Sequence, residues 1–304
     1  MTDTRAGFVA LIGEPNAGKS TLMNRIVGAK VSIVTHKVQT TRARIRGIAI
    51  EGASQIVFVD TPGLFRTRRN LDRAMVAAAW AGAGDADITV LLVEAHRGMS
   101  PGVRMILEEL GNKVGKNTKV ALAINKIDKV ESSRLLALTQ ELSTAYPFEK
   151  VFMISAEKGH GVKDLTSYLA ENLPLSPWLY PEDQIADVPM RMIAAETTRE
   201  KLMLRLHQEL PYFLTVETEN WEQKKDGSVR IDQVIYVTRE GHKGIAVGPK
   251  GETIKAVSMA SREELKELVG AEVHLFLQVK VRPKWESEAE RFAEMGLDFK
   301  DTKS

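Results

Sequence analysis

The stretch Gly13-Glu14-Pro15-Asn16-Ala17-Gly18-Lys19-Ser20 decides the fold of the first half of the chain. It matches the pattern G-x-x-x-x-G-K-[ST] and lies between an apolar run at 9–12 and a helical pattern at 19–27. The backbone amides of such a loop, and the N-terminus of the helix that follows it, bind phosphate groups. Lys19 should reach the β- and γ-phosphates and the Ser20 hydroxyl should ligate Mg²⁺, with Thr21 completing the predicted nucleotide-binding set.

Short apolar runs recur on both sides of this loop in an order typical of an α/β domain. The runs are nearly continuous, as expected of strands covered on both faces of a mostly parallel sheet. One pair is joined only by residues 51–55, which predicts an antiparallel hairpin. We therefore predict a doubly wound sheet with strands near 9–12, 45–50, 56–59, 88–93, 120–124 and 151–154 and helices near 19–27, 71–81 and 133–142.

The length and composition of the chain limit the number of domains and the class of protein. A chain of 304 residues suggests two domains, and 43% hydrophobic with 27% charged residues excludes wholesale disorder. The 42 basic and 40 acidic residues balance, so a nucleic-acid surface requires local clustering. With no cysteine, disulfides, thiolate metal sites and cysteine nucleophiles are excluded. No run approaches the roughly 18 apolar residues of a membrane span, and we expect a cytoplasmic protein.

Prolines mark the domain boundary. Four of the eleven fall within 172–189, where they break helices and stiffen an extended connection: Pro174, Pro177, Pro181 and Pro189. We predict a first domain at 1–175, a linker at 176–189 and a second domain at 190–304.

Two further motifs follow predicted strands of the first domain, where parallel strands place their carboxyl ends at one edge. Asp60-Thr61-Pro62-Gly63 puts a carboxylate near a bound metal and the Gly63 amide near a γ-phosphate. Asn125-Lys126-Ile127-Asp128 supplies the Asp128 carboxylate, which can accept from both N1–H and the 2-amino group of guanine. Ser155-Ala156 follows the last strand, and the Ala156 amide could contact guanine O6. Together the motifs predict GTP binding.

The second domain has a different pattern. A helix is expected at 196–210, a hairpin at 213–221 and 229–238 around Lys225-Asp226-Gly227-Ser228, and a strand at 273–281. A helical stretch at 252–270 is expected to be interrupted near Ala260–Ser261. Gly248-Pro249-Lys250-Gly251 forms a G-x-x-G loop of the kind that lets a nucleic-acid backbone approach closely. The order α-β-β-α-α-β around it predicts a small α+β domain of the type II KH arrangement, with Lys255 adding charge.

These residues resemble the translation-factor class of GTPases and, within it, the Era family, over nearly the whole chain. Gln39-Thr40-Thr41-Arg42 is similar to the family's switch I. The resemblance implies that one of the two threonines ligates Mg²⁺ with Ser20 and Asp60, and we favour Thr41. It also implies an α/β P-loop GTPase domain followed by a KH domain, and a role in maturation of the small ribosomal subunit through 16S rRNA near its 3′ end.

Catalysis is expected to be slow. Leu64 stands where Ras-like enzymes carry the glutamine that orients the attacking water, so catalysis would depend on Lys19, Thr41, Gly63, Mg²⁺ and a supplement. The resemblance implies that Asn16 helps to hold K⁺ beside the phosphates. The alternative for Asn16 is a residue chosen for turn geometry.

The C-terminal segment from Val279 to Trp285 also resembles the Era family. There Arg282 and Lys284 could pair with phosphates, and Trp285 could stack on a base or close the domain core.

Two other functions stay open on the sequence alone. The second domain could act in RNA modification, or the chain could be an RNA-binding module that uses GTP only as a structural ligand. We expect a monomer, and the sequence leaves open a peripheral association with the inner membrane.

Overall fold

The computed structural model of the chain describes residues 4–37, 40–42, 45–65, 67, 70–115, 118–207, 210–283, 285, 288–289, 292, 295 and 297–302. These residues form two compact units, one of 1–187 with 292–304 and one of 188–291. The structure therefore differs from the predicted boundaries at both ends of the second domain. No helix among the described residues is long and apolar enough to cross a membrane.

A six-stranded sheet forms the centre of the first unit, in the order β2-β3-β1-β4-β5-β6. Only β2 and β3 pair antiparallel, so the predicted hairpin and the mostly parallel sheet are confirmed. Strands β3 and β4 are buried along their whole length, as expected of mostly apolar strands covered on both faces. The strands are β1 (Arg5–Gly13), β2 (Ile45–Glu51), β3 (Ser54–Asp60), β4 (Ile88–Glu94), β5 (Lys119–Asn125) and β6 (Lys150–Met153).

Among its described residues, this unit contains five α-helices. Three of them lie near the predicted ranges 19–27, 71–81 and 133–142, and no range was predicted for the other two, α3 and α5. Helix α3 begins at a clear signal, because the Ser100 side chain accepts a hydrogen bond from the Val103 amide and Pro101 occupies the first turn. The helices are α1 (Lys19–Val27), α2 (Asn70–Gly84), α3 (Pro101–Lys113), α4 (Ser132–Ala145) and α5 (Val162–Asn172).

The predicted linker lies on the first unit as far as Asp187. The side-chain amide of the fully buried Gln55 accepts from the amides of Leu179 (2.8 Å) and Tyr180 (3.0 Å) and donates to the Tyr180 carbonyl (2.8 Å). Further along, the Ile48 amide of β2 donates to the Ile185 carbonyl at 2.9 Å. The segment thus satisfies part of the exposed edge of β2 and is held by hydrogen bonds.

In the part of the second unit that the structure describes, three α-helices pack on a three-stranded sheet. Strands β7 and β8 form the predicted hairpin, and β9 pairs parallel to β8. The break predicted near Ala260–Ser261 is wrong, because α8 is continuous there with Ser261 fully buried, and the chain turns at 248–251 instead. The elements are α6 (Met190–Arg205), β7 (Leu214–Gln223), β8 (Val229–Val237), α7 (Glu240–Val247), α8 (Glu252–Val269) and β9 (Val273–Val281).

The described residues after 291, namely 292, 295 and 297–302, belong to the first unit instead of extending the second. Their apolar side chains explain the difference, since Phe292 and Leu297 are buried and Phe292 meets Phe299 edge to face at 5.2 Å between ring centroids. The turn Phe299–Thr302 packs against α2.

Candidate functional site

The loop between β1 and α1 turns on backbone conformations that few residues adopt. Gly18 has φ = +97°, and a Cβ at that position would collide with the Asn125 side chain. Lys19 is buried, and its Nζ donates to the carbonyl oxygens of Gly13 (3.1 Å) and Glu14 (3.0 Å). Burial lowers the pKa of Lys19 to about 8, against the attraction of Asp60 and Glu14. A phosphate group in the loop would favour the charged form of this lysine.

Three hydroxyl groups converge on one oxygen of Asp60, at the end of β3. Asp60 Oδ2 accepts from Ser20 Oγ (2.7 Å), Ser32 Oγ (2.7 Å) and Thr41 Oγ1 (3.3 Å). Ser20 Oγ and Thr41 Oγ1 are themselves 3.0 Å apart. Burial raises the pKa of Asp60, while the hydrogen bonds from Ser32 and Ser20 act in the opposite direction.

The same residues fit a magnesium ion. Asp60 Oδ1 is buried and has no hydrogen-bond partner among the described residues. An unpartnered carboxylate oxygen beside two hydroxyls is a set of hard oxygen donors, which Mg²⁺ prefers. Thr40 is directed elsewhere, with its Oγ1 2.6 Å from Thr35 Oγ1 and 2.7 Å from the Lys37 carbonyl oxygen. The geometry therefore favours Thr41 over Thr40, which agrees with our expectation from the sequence.

The residues after Asp60 bring the chain against the phosphate loop. A Cβ at Gly63 would lie 2.7 Å from the Pro15 backbone nitrogen, so the close approach requires glycine. Thr61 Oγ1 donates to the Leu11 carbonyl (2.7 Å), and the Leu64 amide donates to the Gly13 carbonyl (3.0 Å). The Leu64 side chain is 1% exposed and packs in the hydrophobic core, away from the cavity.

Asn125 joins three loops at the carboxyl edge of the sheet. The residue is fully buried; its Nδ2 donates to the Ala17 carbonyl (2.8 Å), and its Oδ1 accepts from the amides of Lys126 (2.8 Å) and Ala156 (2.9 Å). The Ala156 amide that we predicted to contact guanine O6 thus already has a partner, and the O6 contact stays a prediction. Asp128 is exposed, and a hydrogen bond from Ser155 lowers its pKa, so it is a carboxylate at neutral pH.

Two residues of this edge were missed at the level of sequence. Glu94, at the end of β4, accepts from Lys126 Nζ at 2.7 Å, and its carboxylate lies 2.9 Å from His96 Nδ1. Arg25 on α1 donates from Nε to the Ala156 carbonyl at 2.6 Å and so holds the loop after β6. Glu94 could have been found, because it ends an apolar run at the same edge as Asp60 and Asn125; Arg25 has no such signal.

Asn16 lies in the phosphate loop with φ = +67°. Its Nδ2 donates to the His36 carbonyl oxygen at 2.8 Å, which joins the loop to the segment before Thr41. The K⁺ role of Asn16 stays a prediction. A cavity of about 460 Å³ opens between these segments, and its lining includes Lys19, Ser20, Thr41, Gly63 and Lys126.

In the second unit, the G-x-x-G turn lies between α7 and α8. Three of its residues have positive φ: Gly248 (+75°), Lys250 (+49°) and Gly251 (+77°). No side chain caps the N-terminus of α8, and a Cβ at Gly251 would meet nothing within 4 Å. Lys250 and Lys255 are exposed. The turn therefore presents an open backbone surface and two cations, as an interface for phosphates requires.

The C-terminal residues of the predicted RNA interface differ in their burial and in their contacts. Trp285 is 0% exposed, and its Nε1 donates to the Phe213 carbonyl at 3.3 Å. A buried indole offers no face to a base, so the stacking prediction is corrected in favour of a role in the core. Arg282 pairs with Glu288 and lies over the Tyr236 ring at 5.4 Å from its centroid, which occupies its guanidinium. Lys284 lies outside the described residues.

Comparisons with known proteins agree on both units. A family model described as a 50S ribosome-binding GTPase matches residues 8–126, and a KH domain model matches residues 209–286. The chain is 76% identical to the GTPase Era of Dinoroseobacter shibae, with 98% of this chain and 97% of that protein covered. It is 61% identical to the GTPase Era of Rhizobium meliloti, with 97% and 94% covered.

Two solved structures match the chain over both units. One is a point variant of Aquifex aeolicus Era bound to GDP·AlF4⁻, and the other is Era in complex with MgGDPNP and nucleotides 1506–1542 of 16S ribosomal RNA. Each is 35% identical, with a TM-score of 0.90, and covers 96% of this chain and 99% of its own.

Proposed function

Because the chain belongs to the Era family of GTPases, we propose that it binds 16S rRNA near the 3′ end through its KH domain, under control of bound GTP, and assists maturation of the small ribosomal subunit. One observation carries the proposal: the solved complex of Era with MgGDPNP and 16S rRNA nucleotides matches 96% of the chain, both units included. The family model whose description names the 50S ribosome matches only 8–126, without the KH domain, so it bears less on the RNA target.

The reaction is hydrolysis of GTP to GDP and phosphate. Water attacks the γ-phosphorus and the bond to the β–γ bridging oxygen breaks, with the negative charge passing to GDP. In our proposal Lys19 and the loop amides bind the phosphates, and Ser20, Thr41 and Asp60 hold Mg²⁺, which when bound neutralises charge on the phosphate oxygens. No side chain from position 64 orients the water, since Leu64 is buried. We propose that K⁺ beside Asn16 compensates, and that turnover is slow.

The nucleotide specificity in this proposal comes from three loops. Asp128 accepts from the guanine base, Lys126 lies along it, and Asn125 fixes both to the phosphate loop through the Ala17 carbonyl. The ion pair of Lys126 with Glu94 supports this arrangement by holding the lysine side chain at the cavity.

The RNA contact in this proposal is the turn 248–251. Its open Gly251 and the uncapped α8 support a phosphate backbone at van der Waals distance, with Lys250 and Lys255 providing charge. Arg282 and Lys284 stay in the proposal as secondary contacts.

We further propose a cytoplasmic monomer. Sedimentation velocity would test the monomeric state, and flotation with inner-membrane vesicles would test peripheral membrane association.

A matched pair of glycine variants tests the RNA site. Gly251→Asp places a carboxylate where the RNA backbone must approach, and we expect RNA affinity to fall at least about tenfold. Gly270→Asp is the control, because Gly270 also has positive φ (+70°) and an open Cβ position, but lies at the other end of α8. Binding of an RNA with the sequence of the 16S 3′ end is measured by fluorescence anisotropy, with thermal melting to verify folding.

The outcomes separate the candidates. Gly270→Asp should keep parental RNA affinity, and both variants should keep GTP affinity and RNA-free hydrolysis within about twofold. Parental RNA affinity in folded Gly251→Asp would refute the assignment of the turn and direct attention to Arg282. Single-turnover hydrolysis of the parent separates a GTPase switch from a protein that holds GTP as a structural ligand, since the latter shows no phosphate release.

A further inference from the structure

Ser32 is a buried hydroxyl that none of the nucleotide motifs contains. The residue is 3% exposed, and its Oγ donates to Asp60 Oδ2 at 2.7 Å, as short as the bond from Ser20. In the chain, Ser32 lies between α1 and the predicted switch residues. It belongs to neither of these segments, so the sequence suggests no role for it in a metal site.

The backbone at Ser32 is held in place by one side chain of α1. Asn24 Oδ1 accepts from the amides of Val31 and Ser32, both at 3.0 Å, and Asn24 Nδ2 donates to the Ser32 carbonyl at 2.7 Å. These bonds involve neither the nucleotide cavity nor the switch residues 40–42. The Ser32 hydroxyl is therefore fixed to the helix of the phosphate loop.

We infer that Ser32 is a positioning residue for the magnesium site, acting through Asp60. The inference rests on the GTPase site proposed above. Ser20 and Thr41 also donate to Asp60 Oδ2, and in the proposed site their oxygens ligate the metal as well. Ser32 is the one of these three hydroxyls that does not ligate the metal, and its bond to Oδ2 helps to keep the unpartnered Oδ1 directed toward the metal position. Groups that orient metal-binding carboxylates typically change metal affinity by about 10–100-fold when removed.

The test is Ser32→Ala, which deletes the hydroxyl and leaves the three backbone bonds of Asn24. GDP release is followed with a fluorescent GDP as Mg²⁺ is varied, and the Mg²⁺ concentration that half-maximally slows release is measured. We expect this concentration to rise about tenfold or more. In EDTA, where the metal is absent, GDP affinity should stay within about twofold of the parent.

A buried serine far from the metal serves as the matched control. Ser54 is 7% exposed, lies on β3, and donates its hydroxyl to the Ala170 carbonyl at 2.9 Å. Ser54→Ala is an equal chemical change in the same unit, and it should leave the half-maximal Mg²⁺ concentration within about twofold.

Two results would overturn the inference. In one, Ser32→Ala keeps the parental Mg²⁺ dependence. In the other, it weakens GDP binding equally in EDTA and in Mg²⁺, which would mean that Ser32 only stabilises the fold. The assay contains no RNA, so failure of the proposed RNA function would not affect it. If the rate of GDP release from the parent protein did not depend on Mg²⁺, that result would instead refute the metal site itself.

Discussion

Asn125→Ala should destabilise the first unit by an amount that can be worked out from three hydrogen bonds. The substitution leaves the Ala17 carbonyl and the amides of Lys126 and Ala156 without their buried partner. Each unpaired buried group costs about 1–3 kcal/mol. Because the nucleotide cavity lies nearby and water can enter from it, we take the lower end, which gives a loss of about 3 kcal/mol. For a unit of this size that corresponds to roughly 6–12 °C in melting temperature.

The assay must report on the first unit alone, since a two-unit chain need not unfold in one step. Native-state hydrogen exchange of peptides from β1 and β5 measures the opening free energy of that unit. Asn172→Ala is the control. This asparagine also makes side-chain hydrogen bonds, to Lys119 Nζ and the Tyr168 carbonyl, but it is partly exposed, and its loss should cost less than about 1 kcal/mol. An Asn125→Ala protein within about 1 kcal/mol of the parent would refute the reasoning.

Three further predictions concern the ligands. Asp128→Asn presents an amide donor to guanine N1–H, so GTP affinity should fall at least about a hundredfold while xanthosine triphosphate binds better; unchanged GTP affinity in a direct titration would remove Asp128 from the base site. If K⁺ is held at Asn16, hydrolysis should be faster in KCl than in NaCl of equal ionic strength, and Asn16→Ala should abolish the difference. Equal parental rates in the two salts would refute that role. Because burial lowers the pKa of Lys19 to about 8, the free protein loses this proton above pH 8, and binding of GDP must restore it. GDP affinity should therefore be constant below that pH and fall above it; calorimetry at about pH 9.5 in two buffers of different ionisation heat should detect proton uptake, and its absence would contradict the buried cation.

The sequence predicted the parts of the site that are contiguous motifs at the ends of strands. Gly13–Ser20, Asp60 and Asn125 could be placed together because parallel strands end at one edge, and the structure puts them there. Thr41 was already favoured over Thr40 from the sequence, and the contacts of the two hydroxyls supply the physical reason, since both occur side by side in the chain. Ser32 and Arg25 could not be found, because each acts across a contact between segments that no local pattern encodes.

Errors arose where burial, not local pattern, determines the structure. A basic-aromatic segment such as Arg282–Trp285 is typical of a nucleic-acid surface, yet the indole is buried in the second unit. Likewise the break predicted at Ala260–Ser261 is absent, because α8 buries Ser261 and continues although serine is a weak helix former. In both cases tertiary packing overrides the preference of the individual residues.

The burial of Leu64 removes the side chain of that position from the groups that could orient the attacking water. In Ras-like enzymes the residue after the D-x-x-G glycine orients the water, so that catalysis depends on the segment that follows Asp60. Here that residue is part of the hydrophobic core, and its backbone amide is bonded to Gly13. Asn16 Nδ2 donates to the His36 carbonyl, and Ser20 Oγ lies 3.0 Å from Thr41 Oγ1, so both residues join the phosphate loop and its helix to the segment that carries Thr41. If K⁺ binds beside Asn16, its site depends on both segments, and the rate of hydrolysis should then follow the ordering of the switch segment and not the chemistry of position 64.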